Sequence, residues 1–340
     1  MAAVRIASFM GRGLRSAVMT EQTVKSQAIV DQRSAPVLAA LVTVQVIYAS
    51  GVIVGKFLLP LVPAPVIVTI RMVIATLAFF IAHRAIGAAT PRSLADWGRF
   101  AMLGVLGGAG NQLLVLLGLT RTTAINAAIL IPMIPIFTVI FGWMLRRFTP
   151  SPLKWAGVAV AAVGTVYLIG PDRVSLAPEV AVGNLLVLGG MAFNALAFLL
   201  SKEMLQRYAP VTVAFCLTLA GLIGVAPLGV AAASEVRTEQ LGPGLWAWLA
   251  YMVVFPTTVT YFLNLWSLRR VSPTLVTSFI YLQPLFTTAV APLVLEGESL
   301  TLRIALAGLG IFSGVALVIW AEQRERRQPA GLSPVTASNQ

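Results

Sequence analysis

The residue with the most demanding chemistry is Arg71, the only charge in an apolar run from Pro65 to Phe80. A guanidinium is always charged and offers five N–H donors in a planar fork. At the centre of a membrane helix such a charge costs about 2.5–3.5 kcal/mol on insertion scales. Facing a cavity, Arg71 can hold a substrate carboxylate through two parallel hydrogen bonds. Facing elsewhere, it reaches outward to water or donates to helix-end carbonyls and locks two helices together. Other polar groups fall at comparable depth: Tyr48, Ser50, Asn111, Gln112, Asn194, Thr257, Thr258, Tyr261, Tyr281 and Gln283. Singly, each can be an interhelical hydrogen bond worth about 0.6 kcal/mol. As a set they suit a polar pocket with aromatic walls, and Arg71, Tyr48, Gln112, Asn194, Tyr261, Tyr281 and Gln283 are the candidate substrate-binding residues. Asn111 and Gln112 are adjacent, about 100° apart on a helix, so at most one faces the cavity squarely.

Lys56 and Lys202 sit near apolar helix ends, where they serve either as gate contacts or as simple anchors. Pro132, Pro135, Pro256 and Pro284 lie inside apolar runs. Each removes a backbone hydrogen bond, giving a hinge or a fixed kink. No aspartate or glutamate lies deep in an apolar run, which argues against a carboxylate proton relay and favours facilitated diffusion or exchange. One histidine (His83) and one cysteine (Cys216) exclude a Cys/His metal cluster and a disulfide framework. No catalytic acid–base set, cofactor or metal is expected, and Gly107–Gly110 is no phosphate loop because no Gly-Lys-Ser/Thr follows.

These groups need elements that hold them in a bilayer. Of 340 residues, 58% are hydrophobic and 11% charged, with mean hydropathy +0.88. A soluble domain carries about 25% charged residues, so this chain cannot cover its own surface in water. Ten stretches are long and apolar enough to span a bilayer of ~30 Å: 36–59, 63–83, 97–118, 122–145, 153–170, 181–203, 210–233, 244–267, 273–295 and 301–321. With the N-terminus inside, 18 of the 24 Lys and Arg residues fall on cytoplasmic segments and 4 on outer ones. The positive-inside rule therefore predicts both termini in the cytoplasm. All seven tryptophans lie near span ends, as an interfacial belt requires. The net charge of +12 is thus mainly topological, and no nucleic-acid partner is expected.

The two halves repeat. Met133–Thr138 (MIPIFT) matches Leu282–Thr287 (LQPLFT), aligning Pro135 with Pro284; the same offset pairs Arg121 with Arg270 and Lys154 with Arg303. Upstream, Lys56 aligns with Lys202 and Tyr48 with Asn194. Five spans per copy is odd, so the second copy must insert upside down, the architecture of secondary transporters with a substrate site at the repeat interface. The runs VQVIYASGVIVGKFLL, NQLLVLLGLTRTTAINAAILIPMIPIFTVIF and KWAGVAVAAVGTVYLIG, with NALAFLLSKEMLQRYAPVTVAF and YFLNLWSLRRVSPTLVTSFIYLQPLFTTAVAPLVLEGESLT in the second half, resemble the EamA-type branch of the drug/metabolite transporter superfamily. The resemblance implies ten helices in two inverted repeats and export of small metabolites, amino acids or drugs. Tyr48-Ala49-Ser50-Gly51 replaces the commoner Trp-Gly pair and looks more like the plant nodulin-type relatives.

The expected organisation is an all-α polytopic membrane protein. Residues 1–35 form a cytoplasmic segment, 36–170 and 181–321 the two five-helix repeats, and 322–340 a solvated cytoplasmic tail. Residues 1–18 carry three arginines and no acid, as in a transit peptide, or precede a true start at Met19. The expected function is secondary, ATP-independent export of a small polar metabolite such as an amino acid or organic anion. The expected setting is a bacterial cytoplasmic membrane, as a monomer or homodimer. A multidrug or cation efflux carrier, and a membrane scaffold or receptor, are the alternatives.

Overall fold

The computed structural model describes residues 35–51, 54, 58, 61–122, 126–127, 130–170, 177–236, 242–286 and 302–327, and these are all-helical. In chain order the helices are α1 (Ala35–Gly51), α2 (Ala64–Ala85), α3 (Leu94–Leu119), α4 (Ile131–Met144), α5 (Pro152–Ile169), α6 (Pro178–Arg207) and α7 (Pro210–Ala231). There follow α8 (Pro243–Val253, continued by Val254–Val259 and Thr260–Arg270), α9 (beginning at Pro273–Ser278) and α10 (Leu302–Arg327). Seven are long and apolar enough to cross a membrane, and Ala35–Gly51 and Ile131–Met144 are shorter apolar helices. This is an integral, multi-pass membrane protein.

Local sequence explains the sharp helix starts. Pro152, Pro178, Pro210, Pro243 and Pro273 each occupy the first helical position, where a missing N–H costs nothing and φ is already helical. Ser93, Ser151 and Ser272 cap α3, α5 and α9, each hydroxyl accepting from a first-turn N–H.

Two helices run beyond the lengths expected from hydropathy. The helix α6 covers 30 residues, about 45 Å at ~1.5 Å per residue, and ends at Arg207 rather than 203. The helix α10 continues past Trp320 to Arg327. Its Glu322 is buried, where a solvated tail was expected. The cause is ionic: Lys154 of α5, 4% exposed, lies 2.9 Å from Glu322 and 2.5 Å from Glu325. Glu322 also accepts the Ser272 N–H at the start of α9, 3.1 Å away.

The largest helix–helix interfaces join α5 to α10, α2 to α7 and α3 to α6 and α7. Each pairs an element of the first repeat with one of the second, so the halves interlock. Glycines let the first pair touch backbone to backbone: a Cβ on Gly157 would lie 2.8 Å from the Gly314 carbonyl oxygen, and one on Gly314 2.5 Å from the Ala161 nitrogen. Close approach through small residues is how membrane helices gain packing without a hydrophobic drive between them.

The apolar core is uneven along the bundle. One continuous cluster draws on all of α1 to α10 and fills the end marked by Arg99, Arg147, Lys154 and Arg207, the basic end. Towards the opposite end it continues along α5 and α10 through Leu168 and Ala307, beside smaller clusters. One cluster joins the far parts of α1, α2 and α8 through Leu58, Ile67 and Met252; another joins α3, α4, α6 and α9 through Val115, Ile134, Met191 and Ile280; a third joins α2, α3 and α7 through Val68, Met72, Ala109 and Val225, with Tyr261 against it.

Candidate substrate site

The same backbone distortions recur in both halves. In α3 the stretch Gly104–Gly110 is a π-helical segment, and in α8 so is Val254–Val259. Under the offset that pairs Arg121 with Arg270, these segments coincide. A wide turn frees carbonyls from the regular ladder and often marks a functional site. A second matched pair is the tight 3₁₀ turn at Ile131–Met133 in α4 and at Phe279–Tyr281 in α9. Pro135 and Pro284 follow these turns, so each sits where the helix changes pitch. Pro132 lies within the first of them. Pro256 lies within the α8 π-segment. Sequence reading passed over Pro227 inside α7.

Arg71 on α2 is half-buried and faces the α8 π-segment. Its Nε donates to Thr257 Oγ1 at 2.7 Å and its Nη2 to the Pro256 carbonyl at 3.3 Å. Both acceptors have other partners: Thr257 Oγ1 donates to the Met252 carbonyl (3.0 Å), and Pro256 O accepts from Thr260 Oγ1 (2.9 Å). Two of five guanidinium donors are thereby used. Among the described residues no carboxylate pairs with Arg71.

Three more candidates converge there. The Gln112 side chain donates through Nε2 to the Tyr261 hydroxyl at 3.1 Å, and that hydroxyl donates to the Gly107 carbonyl at 2.8 Å, inside the α3 π-segment. Gln112 and Tyr261 stand at the repeat offset, so the two copies of one position bond to each other across the interface. Tyr48 of α1 interacts with Thr260 and Asn264 of α8, and both Tyr48 and Tyr261 lie within electrostatic reach of Arg71. One acceptor remains open: Gln112 Oε1 is buried with no hydrogen-bond partner among the described residues. Asn111 points elsewhere, donating to the Gly190 carbonyl of α6 at 2.6 Å; the adjacent pair thus divides between packing and site.

Tyr281 is fully buried in the main core with its hydroxyl unpartnered among the described residues. Asn194 is half-buried on α6, and Gln283 half-buried on α9. Lys202 donates to the carbonyls of Leu268 (2.5 Å), Arg269 (3.3 Å) and Val271 (2.8 Å), tying α6 to the end of α8. Lys56 lies outside the described residues. Beside Lys202, Glu203 pairs with Arg147 just past the end of α4; Arg207 and Tyr208 reach Asp96 of α3 at 3.2 and 2.8 Å. Accepting the Tyr208 proton keeps that phenol's pKa above its usual range.

Sequence reading missed three residues around the site and one buried ion pair. Thr260 and Asn264 had no depth signal beyond being polar. Tyr251, whose hydroxyl is 2.5 Å from Ser50 Oγ, lies near a span end and was outside the polar set at depth. The Lys154–Glu322 pair was hidden because its members are 168 residues apart and near span ends.

An interlocked, membrane-embedded helical bundle with two matched halves and a cationic polar cluster between them is the form of a carrier. Residues 35–170 and 181–320 each match the EamA-like transporter family, and the chain belongs to that family. It is similar to an uncharacterized transporter of Methanothermobacter thermautotrophicus, 26% identical over 61% of this chain and 60% of the relative. It is 19% identical to the uncharacterized transporter YyaM of Bacillus subtilis over 56% of this chain and 64% of the relative. A further uncharacterized transporter, from Archaeoglobus fulgidus, is 26% identical over 68% and 78%. The chain thus spans somewhat under two thirds of the length of the first two. A solved crystal structure superposes with TM-score 0.69 over 86% of this chain and 99% of its own, at 18% identity, a likeness of fold.

Proposed function

We propose that the chain is a secondary transporter that carries a small polar metabolite bearing a carboxylate, such as an amino acid or organic anion, by alternating access. The observation that carries this reading is Arg71: a permanent charge at depth, half-exposed, with unused donors and no carboxylate partner among the described residues. An uncompensated charge in low dielectric is costly, and a substrate carboxylate would neutralise it. Gln112 Oε1 supplies an acceptor beside it for a substrate N–H or O–H. A doubly cationic drug would meet repulsion instead, which sets the multidrug alternative behind.

In this reading ten helices cross the membrane, the second repeat is inverted, both termini are cytoplasmic and transport is export across a bacterial cytoplasmic membrane. The ties made by Lys202, Glu203, Arg207 and Tyr208 support a closed basic end, so in this reading the site opens to the other side. Lys202 then acts as a closing contact, with Lys56 as its counterpart in the first repeat.

The test is counterflow into proteoliposomes with the purified full chain. The panel holds the proteinogenic amino acids, small mono- and dicarboxylates and cationic dyes. The expected result is exchange of one or more carboxylates and none of the dyes. Exchange of dyes alone, or of nothing on the panel by protein that is folded and correctly inserted, overturns the proposal.

A further inference from the structure

A carboxylate site built on Arg71 depends on how its guanidinium is aimed, and the α8 π-segment sets that aim. Pro256 has no N–H, so the carbonyl one helical turn before it, that of Met252, lacks the donor a regular helix would supply. Thr257 fills the gap. Its hydroxyl donates to the Met252 carbonyl at 3.0 Å, a five-residue step that matches the π-turn, and Thr258 repeats the step onto the Val253 carbonyl at 3.2 Å. Thr257 is fully buried and its one proton is committed, so it meets the Arg71 Nε, 2.7 Å away, only with a lone pair.

The contacts are selective within the guanidinium. Nε and Nη2 together form its side edge, and both donate to α8, to Thr257 Oγ1 and, at 3.3 Å, to the Pro256 carbonyl. Among the described residues the remaining N–H groups, those of Nη1 and the second of Nη2, have no acceptor. One from each nitrogen points in parallel from the outer edge, a geometry that grips a carboxylate bidentately. The protein thus occupies side-on capture itself and leaves the end-on mode.

The other repeat lacks both members of the pair. Under the offset that pairs Arg121 with Arg270, Thr257 aligns with Gly108 of the α3 π-segment; the alignment of Pro65 with Pro210 sets Cys216 of α7 against Arg71. Hydroxyl and cation occur together in one copy and are replaced together in the other. There Gly108 packs on the α7 backbone, where a Cβ would lie 3.3 Å from the Leu217 carbonyl oxygen. The α3 π-segment forms with neither group.

We infer that Thr257 is the positioning residue of the carboxylate site: it pins the side edge of Arg71 so that the outer edge, Nη1 with Nη2, receives the substrate end-on. This role rests on the carboxylate reading of Arg71. An arginine already held in place loses less side-chain freedom on binding, a gain of about two- to tenfold in affinity.

The experiment is counterflow of the best-transported carboxylate and its primary amide in proteoliposomes of wild type, Thr257→Val, Thr257→Ser, Arg71→Ala and the Thr257→Val/Arg71→Ala double variant. Valine matches threonine in shape and removes the acceptor. KM for the acid should rise about two- to tenfold, while KM for the amide and the maximal rate stay, and serine should restore the wild-type values. In the Arg71→Ala background valine should add nothing, because a residue that acts through Arg71 has no effect without it. Should Thr257→Val not fold, Thr257→Ala makes the same deletion without setting a methyl beside the Met252 carbonyl. A wild type that exchanges acid and amide equally, or exchanges no carboxylate, overturns the carboxylate reading and this role with it. A wild type that prefers the acid overturns the positioning role alone in any of three cases: the variants keep its KM, they lose acid and amide alike, or they lose as much without Arg71.

Discussion

Replacing Arg71 by alanine separates a binding role from a structural one, because the hydrogen bonds around it are redundant. The variant loses the donors to Thr257 Oγ1 (2.7 Å) and Pro256 O (3.3 Å). A hydrogen bond to a charged group contributes about 1.5–3 kcal/mol. Neither acceptor is orphaned, since Thr257 still bonds Met252 and Pro256 still accepts from Thr260. The loss is offset by removing a desolvated charge that costs about 2.5–3.5 kcal/mol. The net change in stability should lie within about 2 kcal/mol, with no loss of fold. Transport should respond far more. A carboxylate left without its buried partner costs about 2–4 kcal/mol, roughly 30- to 1000-fold in apparent affinity. The assay pairs the best-transported carboxylate of the counterflow panel with its primary amide, in proteoliposomes of wild type and Arg71→Ala. Affinity for the carboxylate should collapse towards that of the amide, while thermal unfolding in detergent shifts by a few degrees. An unchanged KM in a folded variant refutes a carboxylate at Arg71. Equal losses for acid and amide show instead that the arginine shapes the site.

Two further perturbations test the frame that holds the site. Lys154→Met leaves Glu322 buried without its cation and should destabilise the protein by about 3–5 kcal/mol, read as a lower unfolding temperature; adding Glu322→Leu should recover much of that loss, and no recovery would show that the Ser272 contact dominates. Gly314→Val places side-chain atoms against the Ala161 nitrogen and the Gly157 carbonyl, 2.5 and 2.7 Å from its Cβ, and should cost about 1–3 kcal/mol by overpacking; Gly224→Ala, where a Cβ meets nothing within 4 Å, is the silent control.

Arg71, Tyr48, Gln112 and Tyr261 were legible as candidates because a charge or hydroxyl in an apolar run is costly wherever it points. What could not be read is direction. Asn111 and Gln112 are neighbours of similar chemistry, yet one bonds the α6 backbone and the other bonds Tyr261. That they divide follows from the ~100° between neighbours on a helix; which of the two faces the site is set by the helix phase beyond the π-segment at Gly104–Gly110. A π-turn inserts a residue into the helical count, so a regular 3.6-residue wheel misplaces the faces beyond it. Tyr281 shows the same limit: its depth could be read from the sequence, its place in the main apolar core could not.

Sequence alone determined that this chain lives in a bilayer, that its halves repeat and that Arg71 has no acid at its own depth. Those conclusions need only the cost of moving groups from water to hydrocarbon and the spacing of residues along one chain, which every conformation shares. Tertiary structure decided the partners. It joined Gln112 to Tyr261 across 149 positions, set the Pro256 carbonyl and Thr257 hydroxyl under Arg71, and buried Lys154 against the extended end of α10. Contacts so far apart in sequence depend on how helices of opposite halves interlock, and glycines at Gly157 and Gly314 let two of those backbones meet. A hydropathy profile carries no record of which neighbours that interlocking brings together.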